Sequence, residues 1–257
     1  MDFDLKQYVT LIIDASRDAG IEILEIYNKD VIDVEEKENH TPLTKADTNA
    51  HQIIKERLKE TEIPVLSEEG AKIPYSDRKN WETFWMVDPL DGTKEFIKKN
   101  GEFTVNIALI HKNKPILGAL YAPVLDELYF GGPEIGAFNA ENMDPQHKME
   151  LIKNESGKTI IVASRSHLND ETKAFIDQYD NAEIVSMGSS LKFMLVADSQ
   201  ADIYPRFAPT MEWDTAAAHA ILRGLDLEVM SMEDDKPLRY NKEDLHNPHF
   251  IVKRAKD

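Results

Sequence analysis

"FTVNIALIHKNKPILGALYAPVLDELYFGG", residues 103–132, is three apolar runs broken by turn chemistry at Asn113 and Asp126. Runs joined by turns this short pair antiparallel, so the middle of the chain predicts a β-meander. Upstream, "ETFWMV" predicts another strand and "IPVLSEEG" a short buried strand ending in two glutamates. Earlier still, Leu5, Tyr8, Val9, Ile12, Ala19, Ile23, Ile26 and Tyr27 recur at helical spacing, which predicts a long amphipathic helix. Ala50, Ile53, Ile54 and Leu58 mark a second helix, capped near Thr44 or Asp47. Downstream the rhythm changes. "TIIVAS", "DETKAFIDQY", "AEIVSM", "SSLKFMLVADS", "ADIYPRF", "DTAAAHAILRG" and "LEVMS" alternate strand with helix, as in α/β units. The acidic, Asn-rich stretch near residues 139–158 is the one seam. The expectation is a single domain over residues 1–257, with an α+β lobe to about 150 and a smaller, mixed α/β lobe from about 151.

At 257 residues the chain can bury a sizeable core. Its formal net charge of -17 argues against general nucleic-acid or anionic-membrane binding, which needs basic surface. A small anionic ligand remains compatible, because a bound metal reverses the local field. With no cysteine, the chain has no disulfide, thiolate nucleophile or zinc–thiolate site. "MDFDLKQYV" lacks the basic start and apolar block of a signal peptide, and no apolar run reaches membrane-spanning length. The expected location is cytoplasmic, with a peripheral position at the inner membrane as the alternative.

"WMVDPLDGTKEF", residues 85–96, poses the chemical question. Asp88 ends a strand, and Pro89 holds it extended without supplying a donor. Asp91 is expected to begin a helix over "GTKEFIKK" that stops at Asn100-Gly101. On the plain reading Asp91 is an N-cap and Asp88 a turn residue. Glu68 ends another buried strand, however, and Asp214 begins another helix in "MEWDTAAAHA". Four carboxylates brought to one sheet edge would repel one another unless cations lay between them. Such all-oxygen donors suit Mg²⁺ or Mn²⁺. Beside them, Gly92-Thr93-Lys94 offers free N–H groups at a helix start, a site for phosphate.

The ordered set "PVLSEE" (64–69), "VDPLDGTKEFIKKNGEFTVNIALI" (87–110), "ASRSH" (163–167), "GSSLKF" (188–193) and "YPRFAPTMEWDTAAAHA" (204–220) resembles the lithium-sensitive inositol monophosphatase superfamily. It is most similar to the branch of bacterial 3′(2′),5′-bisphosphate nucleotidases, the CysQ type. The likeness runs from the first helix to "HNPHF" near the C-terminus, with no departure at the positions that would hold metal. The resemblance implies a layered αβαβα sandwich and two to three Mg²⁺ ions on Glu68, Asp88, Asp91, Asp214 and the Leu90 carbonyl. Asp88 would bridge, which accounts for the second aspartate. The Gly92 and Thr93 backbone would hold the scissile phosphate. Asp47 would orient the Thr93 hydroxyl, and with Glu68 that pair would position and help deprotonate the attacking water. The implied reaction is loss of the 3′-phosphate from adenosine 3′,5′-bisphosphate, extending to 3′-phosphoadenylyl sulfate, with inhibition by lithium and a place in sulfur metabolism.

Other positions carry two readings each. Ser164 to His167 is a polar loop or part of the nucleotide pocket. Gly188-Ser189-Ser190 is an N-cap or a nucleotide contact. Lys192 and Arg206 are solvated charges or partners of a second phosphate, and Lys94, at the helix start beside the metals, counts with the substrate contacts. His219 and Trp213 are expected in the core. The expected ligand is a phosphorylated nucleotide, bound by a monomer or homodimer. The rival readings are an inositol or sugar-phosphate phosphatase and a non-catalytic protein that binds metal or nucleotide.

Overall fold

The computed structural model describes residues 4–36, 42–70, 72–141, 146–163 and 169–254. Its first half is α1 (Leu5–Tyr27), a short hairpin of β1 (Val34–Glu36) and β2 (Pro42–Thr44), α2 (Lys45–Leu58), β3 (Val65–Ser67) and α3 (Tyr75–Arg78). β4 (Thr83–Asp91) and α4 (Thr93–Ile97) follow. The meander then runs through β5 (Thr104–His111), β6 (Lys114–Ala122), β7 (Glu127–Gly132), β8 (Gly136–Glu141) and β9 (His147–Lys148). These strands form one seven-stranded sheet in the order β3-β4-β5-β6-β7-β8-β9, antiparallel except for the β3–β4 pair.

Period-two alternation makes this sheet two-sided. Trp85 and Val87 of β4, with Val105, Ile107 and Leu109 of β5, pack beneath α1 and α2. Phe84, Met86, Ala108 and Ile110 face the other way, into a core shared with the C-terminal half. That half contains β10 (Thr159–Ala163), α5 (Asp170–Ile176), β11 (Ala182–Ser186), α6 (Leu191–Ala197), β12 (Ile203–Arg206), α7 (Trp213–Arg223), β13 (Met230–Ser231) and β14 (Phe250–Lys253). Its five strands are ordered β11-β10-β12-β14-β13, with β10 parallel to β11 and β12, and β14 antiparallel to β12 and β13. One face packs on α6 and α7, and the other, through Ile161, Ala163 and Ile203, packs on Phe175 and Ile176 of α5. The result is the expected five-layer αβαβα sandwich.

Helix α7 lies so close to the large sheet that a Cβ at Gly118 would fall 2.3 Å from the Ala217 carbonyl oxygen. Only glycine permits that approach. The helix therefore brings its first turn, with Asp214, to the edge where β4 ends.

Two expectations need correction, and one strand is additional. Helix α4 stops at Ile97, and the chain turns through left-handed Lys99 (φ 55°) and Gly101 (φ 80°). The "LEVMS" strand shrinks to Met230–Ser231, because the Val229 carbonyl and the Ser231 N–H are taken locally by Leu238 and Lys236. Finally, β14 was not anticipated: four residues beside a run of Asn, Pro and His give little periodic signal.

Candidate active site

Asp88 and Asp91 are three residues apart, an odd spacing that in a regular strand sends side chains to opposite faces. The β4–β5 ladder resolves this. Asp88 pairs with Asn106 and Asp91 with Thr104, so β4 spends three steps where β5 spends two. The extra residue is a β-bulge at Pro89-Leu90, where a residue without an N–H costs no ladder bond. The bulge restores parity. Asp88 and Asp91 then meet Asp214 from α7, and one carboxylate oxygen from each lies within 4.8 Å of the others.

Asp88 is buried, and its Oδ1 accepts the Leu90 N–H at 3.1 Å. Burial first, then the charges of Glu68, Asp91 and Asp214, push its carboxyl well above the usual range. Asp214 is raised by the same causes, burial and then Asp91, against a bond from the Met211 N–H at 2.8 Å. Glu68 lines the same cleft of about 1140 Å³, outside the 4.8 Å triad, and contributes through its charge. Crowded carboxylates with only oxygen to offer fit a hard divalent cation, and Asp88, Asp91, Asp214 and Glu68 could hold one or more.

The N-cap reading of Asp91 does not survive, and Asp214 lies inside its helix. Asp91 closes β4, and left-handed Gly92 (φ 93°) precedes α4 with no side-chain cap. Its Oδ2 instead accepts the Ser189 hydroxyl at 2.5 Å and the Ser190 N–H at 2.6 Å. Asp214 is the second residue of α7, behind Glu212. Glu212 is fully buried and binds the Lys242 ammonium and the N–H groups of Asn241 and Lys242. Ser190 precedes α6 but does not cap it, because its hydroxyl donates to Asn106 Oδ1 at 2.9 Å.

On the other side of the cleft, Thr44 and Asp47 form a capping box at the start of α2. Asp47 Oδ2 accepts the Thr44 N–H at 2.8 Å and its hydroxyl at 2.6 Å. The remaining oxygen, Oδ1, accepts the Thr93 hydroxyl at 3.0 Å, and the Leu90 carbonyl lies 3.4 Å from the same hydroxyl. Asp47 is buried, so a cap residue of one helix holds the hydroxyl of another.

A second hollow of about 150 Å³ adjoins the cleft and is lined by Gly92, Lys94, Ser189, Lys192, Tyr204 and Arg206 among others. Lys192 is only 8% exposed, so the solvated reading fails. Its Nζ donates to the Ser189 carbonyl at 2.6 Å, and burial pushes its pKa down to about 8. Arg206 is half-buried, tied to the Ala208 and Pro209 carbonyls at 3.2 and 3.3 Å. Lys94 is exposed at the rim of both hollows. Ser164, Arg165, Ser166 and His167 lie outside the described residues.

Trp213 is half-buried and forms part of the cleft wall, whereas His219 is buried between the Tyr240 hydroxyl (2.9 Å) and the Glu228 carboxylate (2.5 Å). Sequence reading overlooked His246, on the cleft wall, and the buried pair Thr104 and Asn106. The pair had a signal: two polar residues two apart on one face of an otherwise apolar strand. Asn106 Nδ2 is buried with no partner among the described residues, an orphaned donor beside the cluster.

The fold and this cleft define a class. The sequence profile of the inositol monophosphatase family matches residues 4–256, and the chain belongs to that family. Within it, the chain is 43% identical over 241 residues to the 3′(2′),5′-bisphosphate nucleotidase CysQ of Escherichia coli K12, covering 92% of this chain and 96% of that protein. The crystal structure of CysQ from Bacteroides thetaiotaomicron superposes with a TM-score of 0.88 at 47% identity, covering 99% of both chains. An IMPase/NADP phosphatase solved with Mg²⁺ and phosphate shares the fold, with a TM-score of 0.80 at 22% identity over 98% of this chain and 92% of that one. Among the described residues, no helix is long and apolar enough to cross a membrane.

Proposed function

We propose that this chain is a Mg²⁺-dependent 3′(2′),5′-bisphosphate nucleotidase that converts adenosine 3′,5′-bisphosphate to AMP and phosphate and also accepts 3′-phosphoadenylyl sulfate. The observation that carries the reading is the meeting of Asp88, Asp91 and Asp214 in a cleft whose wall also holds the Thr93 hydroxyl on Asp47. The whole-chain likeness to CysQ proteins supports the choice of substrate.

Bound Mg²⁺ would screen the phosphate, acidify the attacking water and stabilise the leaving oxygen. The chain's own residues do the rest. Thr93 gives its proton to Asp47, which leaves its oxygen lone pairs to accept a hydrogen bond from the water and fix its direction. Asp47 cannot swing away, because its other oxygen is occupied by Thr44. Glu68, which lines the same cleft, takes the water's proton as oxygen attacks phosphorus, and the 3′-oxygen leaves with the bonding pair and takes up a proton from solvent water. The Gly92 and Thr93 N–H groups receive the phosphate oxygens. Helix α4 has only five residues, so these donors rather than a long helix dipole do the holding.

Phosphate release should be seen with adenosine 3′,5′-bisphosphate in Mg²⁺ and should vanish in excess chelator. Faster turnover of inositol monophosphate would move the substrate to the sugar-phosphate side, and undiminished turnover in chelator would refute the cation-dependent chemistry.

The adjoining hollow suits the non-reacting 5′-phosphate, and Arg206 is the residue to meet it, with two N–H faces for its oxygens. Arg206→Ala should cost roughly 1.5–3 kcal/mol in kcat/KM for the bisphosphate, the worth of a charged hydrogen bond. It should leave adenosine 3′-monophosphate nearly untouched. Equal losses on both substrates would mean that Arg206 supports the fold instead.

A further inference from the structure

We propose that Ser189 is a positioning residue of the cation site: its hydroxyl holds Oδ2 of Asp91 and so fixes the setting of that carboxylate among the residues that would bind the cation. The inference rests on the Mg²⁺-dependent reading above. Two donors, the Ser189 hydroxyl at 2.5 Å and the Ser190 N–H at 2.6 Å, converge on Oδ2 of Asp91. Two bonds to one oxygen restrain the carboxylate that meets Asp88 and Asp214 at the cluster. Asp91 belongs to the large sheet and Ser189 to the turn before α6, so the site is completed across the two halves of the chain.

The hydrogen bonds here have a direction. Each hydroxyl has one proton. Ser189 commits its proton to Asp91, and Thr104, which has one proton of its own, lies 2.7 Å from the hydroxyls of both Ser189 and Ser190.

Ser189 also stands at φ 52°, a left-handed conformation in which a side chain is strained and glycine is at ease. Neighbours hold it there. Lys192 Nζ binds its carbonyl at 2.6 Å, and the Glu102 carboxylate takes the preceding Gly188 N–H at 2.8 Å. Gly92 leaves room for its Cβ, since a Cβ added at 92 would lie 3.3 Å from it. What serine brings to this position, and glycine would not, is the hydroxyl on Asp91. Lys192 accordingly serves the turn that holds Asp91, which separates its role from that of Arg206.

Calorimetric titration of Mn²⁺ into the full chain, without substrate, tests this with Ser189→Gly and Ser189→Ala. Both variants should bind Mn²⁺ about tenfold or more weakly, as is typical when an outer partner of a metal ligand is lost. In chelator, Ser189→Gly should melt no lower than the unmodified protein, because it sheds the backbone strain. Unchanged Mn²⁺ affinity in Ser189→Gly would overturn the proposal, as would weakening confined to Ser189→Ala, which would assign the effect to strain. Weakening that only follows a lower melting point in both variants would make Ser189 a structural residue and overturn it too. Failure of the unmodified protein to bind Mn²⁺ would overturn the cation-dependent reading itself.

Discussion

Asp91→Asn should stay folded and lose on the order of a hundredfold or more in turnover, the scale seen when a fixed electrostatic contribution is removed. Asparagine can keep its carbonyl oxygen on the Ser189 hydroxyl and the Ser190 N–H, so the junction with the turn before α6 survives. Its amide nitrogen must then take the place of Oδ1. The side chain thereby loses its charge, and one of its two oxygens becomes a donor that repels a cation. Metal-free stability should rise, because one of the charges that crowd Asp88 and Asp214 is gone. The paired measurement is kcat in saturating Mg²⁺ and the melting temperature in chelator. A variant that melts early and keeps its specific activity would make Asp91 a structural residue.

That substitution also marks how far the sequence could be read. The acidic residues were legible because charge is costly in a strand such as "FWMVD" and invites a reason. Their convergence was not. Asp88 and Asp91 share a face only because the strand bulges at Pro89-Leu90, and a bulge is defined by its partner strand. The same limit kept the cap reading open at Asp91 and Ser190, and the helix-start reading open at Asp214. Each is an oxygen-bearing residue at a helix start, the local signature of a cap, and each spends its side chain on something else. Thr44 and Asp47 were legible as a cap because there both partners lie within four residues of each other. Lys192 shows the opposite failure. An isolated lysine reads as solvated, whereas α6 packs it against the carbonyl of Ser189, three residues before it. The order of helices, meander and α/β units, by contrast, follows from period-two and helical patterning long enough to average over such details, while the five-layer stacking was implied by the family resemblance.

Thr93→Ala and Asp47→Ala should each lower kcat by roughly 10²–10⁴-fold, the range for a positioned proton-transfer group, with little change in KM. The double variant should be scarcely worse than either single one. The reason lies in the geometry: Thr93 directs water only while its proton is committed to Asp47 Oδ1, and Asp47 acts on that water through the Thr93 hydroxyl. Two residues that serve one water act as a unit, so their losses do not add. Asp47→Ala carries a structural penalty as well, since it removes half of the capping box on α2, worth about 0.5–2 kcal/mol. Asp47→Asn separates the two effects. Its amide can still cap through the carbonyl oxygen while presenting a donor toward Thr93 Oγ1, which reverses the sense of that bond and turns the hydroxyl's proton toward the water. Asp47→Asn should therefore melt near the unmodified protein yet lose nearly as much turnover as Asp47→Ala. Additive losses in Thr93→Ala with Asp47→Ala, or full activity in Asp47→Asn, would mean that Asp47 serves α2 alone and that the water is directed from Glu68.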